Sequence, residues 1–255
     1  MIRNTFSILY GIGEKLERKL WRSGILTWND FINASDLHFI SHHKKKEFDQ
    51  CLSSALREIE SANAVYFAET VKRREHWRLF DTFKGEAICL DIETNGFMPE
   101  SGGYVTMIGI YDGFDYKCLV RGIDLTPENL KRKLSGYKYL ITFYGAAFDI
   151  PFIMRSMPGL NFDILHFDLC FGSKRLGFNG GLKKLEMDIG IERHEMVKGM
   201  NGYDAVMLWE QAKNGSDEAL ALLTLYNKED TVNLYKIADV IYQKLRSQTG
   251  IDEYL

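Results

Sequence analysis

The stretch that decides the fold is Ala87-Ile88-Cys89-Leu90-Asp91-Ile92-Glu93-Thr94-Asn95-Gly96. Its apolar part is short and ends in acids, which predicts a strand that runs into a polar turn. Because side chains alternate across a strand, Asp91 and Glu93 point to the same face of the sheet. Two carboxylates on one face repel each other unless a cation neutralises them. The pair is therefore either part of a metal site or a solvated strand end.

Four more strands are predicted after this one. Tyr104–Tyr111 and Tyr116–Val120 are rich in β-formers, and a turn pattern separates them, so a three-stranded antiparallel meander is expected. The patterns that follow are a helix opening at Thr126, a strand at Tyr139–Tyr144, a helix after Asp149, a strand at Ile164–Leu169 and a long last helix at about 216–245. Hairpins followed by alternating helices and strands predict an α/β fold with a mixed five-stranded sheet flanked by helices.

The first 80 residues show a different pattern. Leu16, Leu20 and the segment Cys51–Ala68 have apolar residues three and four positions apart, as amphipathic helices do. The segment 79–85 suits a junction between two regions. We therefore expect a small all-α region at 1–80 and an α/β domain at 85–250.

Composition limits the class of protein. The chain has 255 residues, of which 45% are hydrophobic and 26% charged, as is ordinary for a globular protein. No apolar run approaches the roughly 20 residues of a membrane helix, and the N-terminus has no cleavable signal pattern. The four cysteines lie far apart, without a zinc-ligand spacing. A cytoplasmic protein in a reducing compartment, with no membrane partner, is expected.

The net charge of −3 favours no partner by itself, but the charges are unevenly distributed. Residues 1–84 have a net charge of +3 and residues 85–255 a net charge of −6. A basic region beside an acidic domain suits an anionic polymer that is handled at a metal site.

Two further acids stand out from their surroundings. Asp149 precedes Pro151 in a predicted first helical turn, so helix capping and metal binding are both open. Asp230 lies on the apolar stripe of the last helix, on the same face as Tyr226 four residues earlier. A buried carboxylate needs a partner, and a metal ion is slightly favoured over an arginine.

Three short motifs together resemble those of the DEDDy family of ribonuclease H-like 3′→5′ exonucleases. The segment Leu90–Thr94 resembles the first motif, Asp-x-Glu. The segment Tyr144–Asp149 resembles the second, which ends in Phe-Asp or Tyr-Asp, and Tyr226-x-x-x-Asp230 resembles the third in its tyrosine form. The motifs also occur in the order of the family. This resemblance implies a ribonuclease H-like sheet that brings the acids together.

The sequence is more similar still to the YprB-like exonucleases, a bacterial and archaeal group of ribonuclease H-like proteins. The similarity spans about residues 85–245, and the C-terminal signature of the group resembles 202–210 and 226–230 here. One departure concerns the second motif, where the group has Asn-Gly and this chain has Tyr144-Gly145. That asparagine lies near the metal or the substrate in such sites, so its loss would either weaken activity or change the substrate.

The resemblance implies a metal-dependent nuclease that hydrolyses phosphodiester bonds with two Mg²⁺ or Mn²⁺ ions. The implied metal ligands are Asp91, Glu93, Asp149 and Asp230, and Tyr226 completes the catalytic set by orienting the attacking water. The implied substrate is DNA or RNA, whose single-stranded 3′ ends would be cleaved to nucleoside 5′-monophosphates. A structure-selective endonuclease and a nucleic-acid-binding protein with a weakened site are the alternatives.

Other candidates in the domain favour structural roles. Asp168 ends a predicted strand, where capping or solvation is favoured over metal binding. His166 and His194 are the histidines that a general-base mechanism would use, but a tyrosine-type site does not require them. We expect both to be surface or loop residues.

The segment Leu9–Leu16 resembles the hairpin of a helix-hairpin-helix motif, in which a Gly-hydrophobic-Gly turn opens a helix. Glycines let the backbone approach a phosphate, and the N–H groups of a helix N-terminus favour an anion. The predicted nucleic-acid-binding residues are therefore Gly11, Gly13, Lys15 and Lys19. Glu17 departs from the motif, which has a small residue at this position. The alternative is a plain helical hairpin.

Overall fold

The computed structural model describes residues 1–255, which form two compact units. The first unit contains residues 1–85 and 242–255, and the second contains residues 86–241. None of the helices is both long enough and apolar enough to cross a membrane.

The N-terminal part of the first unit is helical, as the sequence pattern predicts. Its helices are α1 (Glu14–Arg22), α2 (Trp28–Asn33), α3 (His42–Glu60), α4 (Ala64–Thr70) and α5 (Phe80–Phe83). Side chains of Thr27 and Asn63 accept hydrogen bonds from the first backbone N–H groups of α2 and α4, which begins these helices where they do. Large aromatic side chains, among them Trp21, Trp28, Phe31 and Phe67, are fully buried in the core of the unit.

A buried ion network in this unit explains the unusual Glu17. One of its carboxylate oxygens accepts hydrogen bonds from the backbone N–H groups of Phe6 and Ser7, and the other forms an ion pair of 3.0 Å with Arg78. Arg78 also binds Glu75 at 2.7 Å. Glu17 and Arg78 expose only 1% and 2% of their side chains. Glu17 therefore ties the N-terminal turn to the segment that precedes α5.

Replacing Arg78 with Met is expected to destabilise the protein strongly, because two buried carboxylates would lose their cation. Removing one partner of a buried ion pair costs about 3–5 kcal/mol. The free energy of unfolding, measured by urea denaturation, should fall by that amount. The exposed control Arg57→Met should change it by less than about 0.5 kcal/mol. Equal losses in the two variants would contradict the role of this network.

The second unit is built on a mixed five-stranded sheet, which confirms the predicted α/β fold. Its strands are β1 (Ala87–Thr94), β2 (Val105–Tyr111), β3 (Tyr116–Val120), β4 (Tyr139–Thr142) and β5 (Leu165–Asp168), in the spatial order β3-β2-β1-β4-β5. β1, β2 and β3 pair antiparallel, whereas β4 pairs parallel with both β1 and β5. The carboxyl ends of β1, β4 and β5 therefore lie at one edge of the sheet, where sites form in such folds.

Helices cover both faces of the sheet. They are α6 (Pro127–Leu134), α7 (Asp149–Ser156), α8 (Leu169–Arg175), α9 (Leu182–Ile189), α10 (Gly202–Lys213) and α11 (Asp217–Thr249), the last of which ends in the first unit. On one face, Ile88 and Leu90 of β1 share an apolar core with Ile150 and Ile153 of α7. α11 packs on the opposite face, where Tyr226 belongs to a second apolar cluster. The alternate side chains of β1, which include its acids, therefore face α11.

Candidate metal centre

β1 presents its two carboxylates to α11. Asp91 and Glu93 share one face of the strand, as expected from the sequence, and the apolar core lies behind the other face. Across the ladder with β2, Asp91 is opposite Gly109 and Glu93 is opposite Met107.

Gly109 lets α11 approach the sheet closely. A Cβ atom at this position would lie 2.0 Å from Oδ1 of Asn227 and 2.4 Å from Oγ1 of Thr231, both on α11. No side chain fits at such distances, so only glycine suits this position inside β2. The close approach brings Asp230, the residue before Thr231, to the acids of β1.

The fold gathers three carboxylates from distant parts of the chain. Asp91, Glu93 and Asp230 each offer an oxygen, and these oxygens all lie within 4.8 Å of one another. Glu93 and Asp230 are buried, and Asp91 is partly exposed. Because the donors are all carboxylate oxygens, the set fits Mg²⁺ or Mn²⁺ better than a metal that prefers sulfur ligands.

Asn227 fixes the two acids of β1. Its amide nitrogen donates to Oδ2 of Asp91 at 3.0 Å and to Oε1 of Glu93 at 3.3 Å. Its carbonyl oxygen accepts a hydrogen bond of 2.9 Å from the hydroxyl of Tyr116 on β3. The side chain is fully buried, so this one amide sets the orientation of both carboxylates without adding a charge.

Asp149, the first residue of α7, lies next to the cluster. Its Oδ1 accepts a hydrogen bond of 3.2 Å from the backbone N–H of Ile92, which lies between the two acids of β1. The charge of Asp149 helps to raise the pKa of both Asp91 and Glu93. Of the two roles left open for Asp149, helix capping is not seen, because Phe148 occupies the cap position and no side chain caps α7.

Arg193 pairs with Asp230, which is the arginine alternative that the sequence left open beside a metal ion, although no pattern indicated which arginine it would be. Its guanidinium donates to Glu186 through Nε at 2.6 Å and Nη2 at 2.9 Å, and Nη2 also donates to Oδ1 of Asp230. The remaining group, Nη1, is buried without a hydrogen-bond partner. The arginine neutralises one acid of the cluster, whereas Asp91 and Glu93 form no ion pair with a lysine or an arginine.

Tyr226 lies one helical turn before Asp230 and faces the cluster. Lys183 of α9 donates from Nζ to the tyrosine oxygen at 2.9 Å and lies 4.7 Å from the centroid of its ring. The nearby hydroxyl of Tyr226 opposes the rise in the pKa of Asp230 that burial causes. Burial and the nearby acids raise the pKa of Tyr226, so the phenol keeps its proton.

The acids repel one another in a site that is shielded from water. Burial first, and then the charges of neighbouring acids, raise the pKa of Asp91 well above its usual value and that of Glu93 to about 8. Burial raises the pKa of Asp149 to about 7. It also raises the pKa of Asp230, although Arg193 opposes the effect. At neutral pH Glu93 would therefore be mostly protonated and Asp149 about half protonated, and a divalent cation would replace those protons.

Comparison with known proteins assigns this domain to a family. A family model of the RNase H superfamily matches residues 88–242. The chain belongs to the RNase H superfamily. No curated protein matches it in sequence.

Several solved structures are similar to this RNase H superfamily chain. NrnC of Brucella melitensis bound to pGG is 19% identical, with a TM-score of 0.49 over 69% of this chain and 80% of that chain. The same protein with bound Mg²⁺ is 18% identical, with a TM-score of 0.44 over 69% and 81% of the two chains. A structure described as the apo form of a nuclease is 18% identical, with a TM-score of 0.48 over 72% and 82%.

Within the RNase H superfamily domain, Asp168 is a helix cap, one of the two structural roles that the sequence favoured. Its Oδ1 accepts a hydrogen bond of 3.1 Å from the backbone N–H of Cys170 at the start of α8. Its two oxygens also accept from the backbone N–H groups of Tyr144 and Ala146, each at 2.9 Å. Asp168 therefore fixes the loop that follows β4.

The two histidines differ in their surroundings. His194 is exposed, as expected. The surface role expected for His166 was wrong, because every residue of β5 is covered and the imidazole is hydrogen-bonded to Oγ1 of Thr142 at 2.8 Å.

The residues predicted to bind nucleic acid lie on an exposed turn and helix of the first unit. Gly11 has a φ of 91°, and Gly13 is the N-cap of α1. Lys15 and Lys19 are exposed on α1, and Nζ of Lys19 lies 4.2 Å from the ring centroid of Phe39. A turn followed by a helix fits both the helix-hairpin-helix motif and a plain helical hairpin, so the motif and nucleic-acid binding at this place stay predictions.

Replacing Gly109 with Ala is expected to disrupt the metal centre, because the added methyl group would push Asn227 and α11 away from β2. Overpacking of this kind costs about 1–3 kcal/mol of stability. Calorimetric titration with Mn²⁺ should show weaker binding than in wild type. Gly202→Ala is the matched control, because a Cβ there meets no atom within 4 Å. Wild-type Mn²⁺ affinity in Gly109→Ala would show that the close approach of α11 does not matter for the site.

Proposed function

We propose that this chain is a metal-dependent nuclease that hydrolyses phosphodiester bonds of single-stranded nucleic acid, acting from the 3′ end. The observation that carries the proposal is the cluster of Asp91, Glu93 and Asp230 oxygens in a domain of the RNase H superfamily. Buried acids that repel one another need positive charge. Arg193 supplies it to Asp230, and the acids of β1 are left for divalent cations.

Four residues would hold the cations, in agreement with the DEDDy resemblance: Asp91, Glu93, Asp149 and Asp230. Three of them form the cluster, and Asp149 adjoins it through its hydrogen bond to the backbone of β1. Two Mg²⁺ or Mn²⁺ ions, when bound, would stabilise the charge that develops on the phosphate and lower the pKa of the attacking water.

Tyr226 is the residue that we assign to orienting the attacking water. Its oxygen accepts a hydrogen bond from Lys183, so its own O–H group can donate to a water molecule beside Asp230. Because its pKa is raised, the hydroxyl can donate this hydrogen bond at neutral pH. The ammonium group of Lys183 adds a positive charge beside the acids, where a substrate phosphate would approach.

Arg193 and Tyr144 favour a second candidate, a nucleic-acid-binding protein with a weakened site. Arg193 occupies an oxygen of Asp230, and Tyr144 stands where the second motif has asparagine in the YprB-like group. In the nuclease proposal, Asp230 exchanges the contact with Arg193 for a cation. The guanidinium would then keep its two hydrogen bonds to Glu186, which do not involve the cluster.

Cleavage of linear and circular strands tests these candidates. The protein is incubated with Mn²⁺ and with linear or circular single strands of one sequence, as DNA and as RNA. We expect release of nucleoside 5′-monophosphates from linear strands only. Cleavage of circles would indicate the endonuclease instead. Binding without cleavage of either form would contradict the nuclease and support the binding protein.

A further inference from the structure

Two exposed aromatic side chains lie together outside the acidic cluster. Tyr144 follows β4 and exposes 46% of its surface, and Phe171, in the first turn of α8, exposes 47%. Their ring centroids are 6.2 Å apart, with 38° between the ring planes. Nζ of Lys174 lies 5.9 Å from the centroid of the tyrosine ring and 5.7 Å from that of the phenylalanine ring. We call these three residues the aromatic platform.

The backbone of Tyr144 is held in a conformation that bulky residues avoid. Its φ of 65° lies in the left-handed region. Asp168 holds the loop there through hydrogen bonds from the N–H groups of Tyr144 and Ala146. Gly145 packs against β4 so closely that a Cβ would lie 2.4 Å from Oγ1 of Thr142. Since nearly half of the tyrosine faces solvent, its burial does not offset this strain, and strain of this kind is typical of functional positions.

The aromatic platform lies at the same sheet edge as the acids. β4 pairs parallel with β1 and β5, and Thr142 at the end of β4 is level with Asp168 at the end of β5. Neighbouring strands are about 4.8 Å apart, so β5 lies roughly 10 Å from β1. The loop between β4 and α7, which contains Tyr144, leads directly into Asp149 at the start of α7. A strand whose end lies at the acids would therefore pass the platform within a few nucleotides.

We infer that Tyr144 and Phe171 stack on the bases of a single-stranded nucleic acid and that Lys174 binds its backbone phosphate. The inference rests on the proposed nuclease function and assigns the residues that hold the unpaired bases of its single-stranded substrate. Stacking on aromatic rings accepts any base, and a lysine beside the rings complements the phosphate charge. The bases of a duplex are stacked on one another and offer no free face. The tyrosine that replaces asparagine in the second motif therefore changes how substrate is held.

The inference is tested by measuring the equilibrium binding of a short fluorescein-labelled oligothymidylate. Ca²⁺ replaces Mn²⁺ in this measurement to prevent cleavage, and recovery of the intact strand checks that none has occurred. Tyr144→Asn should fold well, because asparagine tolerates the left-handed region better than tyrosine. Tyr144→Asn and Phe171→Leu are each expected to raise the Kd about 5- to 100-fold without changing its salt dependence.

Lys174→Gln should weaken binding and reduce the slope of log K against log salt by about 0.7. The control is Phe114→Leu, which alters an aromatic residue that is 92% exposed in the turn between β2 and β3 and should bind as wild type does.

A strand with one 2-aminopurine near its 3′ end gives a second readout, because stacking on an aromatic ring quenches its fluorescence. Quenching by wild type and its loss in Tyr144→Asn are expected. Unchanged affinity and quenching in both aromatic variants would overturn the inference even if the protein cleaves nucleic acid. No binding by wild type, tighter binding of a duplex, or an equal loss in Phe114→Leu would also overturn it. Platform-dependent binding in a protein that does not cleave would instead overturn the proposed function alone.

Discussion

An Asp91→Asn protein is expected to cleave nucleic acid at least about a thousandfold more slowly than wild type. The asparagine can still accept the hydrogen bond from Asn227, but it has no charge with which to hold a cation. Bound cations provide several kcal/mol of transition-state stabilisation, and each 1.4 kcal/mol or so corresponds to a factor of ten in rate. The rate of mononucleotide release from a linear single strand with Mn²⁺ measures the effect.

Stability separates this loss from misfolding. Without metal, Asp91→Asn should be at least as stable as wild type, because a neutral asparagine avoids the cost of ionising a buried acid beside Glu93 and Asp230. The matched control is Asp115→Asn, on the exposed turn between β2 and β3, which should cleave at the wild-type rate. Wild-type cleavage by a folded Asp91→Asn protein would remove this residue from the proposed site.

The stability that Mn²⁺ adds is expected to rise with pH. In the folded protein without metal, the pKa of Glu93 is about 8 and that of Asp149 about 7. In the unfolded chain both pKa values are about 4, so the folded state binds more protons across this range. The free energy of unfolding of the metal-free protein therefore falls as pH rises from about 4 to about 8. A cation displaces these protons, and its binding becomes stronger over the same range.

Thermal unfolding with and without Mn²⁺ measures this coupling. The difference in Tm should be near zero at about pH 5 and roughly 5–10 °C at about pH 8.5, if the cation is present at about 100 times its Kd. Glu93→Gln should lose most of the difference, and Asp115→Asn should keep it. A difference that does not change with pH would indicate that Mn²⁺ binds outside the acidic cluster.

The sheet could be predicted because its patterns depend on near neighbours in the chain. Alternation along β1 correctly placed Asp91 and Glu93 on one face. The predicted strand Tyr116–Val120 has the bounds of β3, and the long last helix was predicted to within four residues at its end. The role of Asp149 stayed open between capping and metal binding, because its hydrogen bond to the distant backbone of Ile92 is not visible in any local pattern.

The assembly of the acids depended on the family resemblance, because no spacing in the chain relates Asp91 to Asp230. Two residues that support the acidic cluster have local signals in the sequence. A glycine inside a strand, here Gly109, indicates a close backbone approach, and Asn227 interrupts the apolar stripe of the last helix. Arg193 has no such signal, since its contact with Asp230 arises only from packing between distant segments.

The most direct test is anomalous scattering from a crystal of the protein soaked in Mn²⁺. If the fold forms a divalent-cation site, we expect anomalous peaks among the carboxylate oxygens of Asp91, Glu93, Asp149 and Asp230. Arg193 should then have left Asp230 while it keeps its hydrogen bonds to Glu186. A cluster without peaks, with the guanidinium still bound to Asp230, would contradict the nuclease proposal.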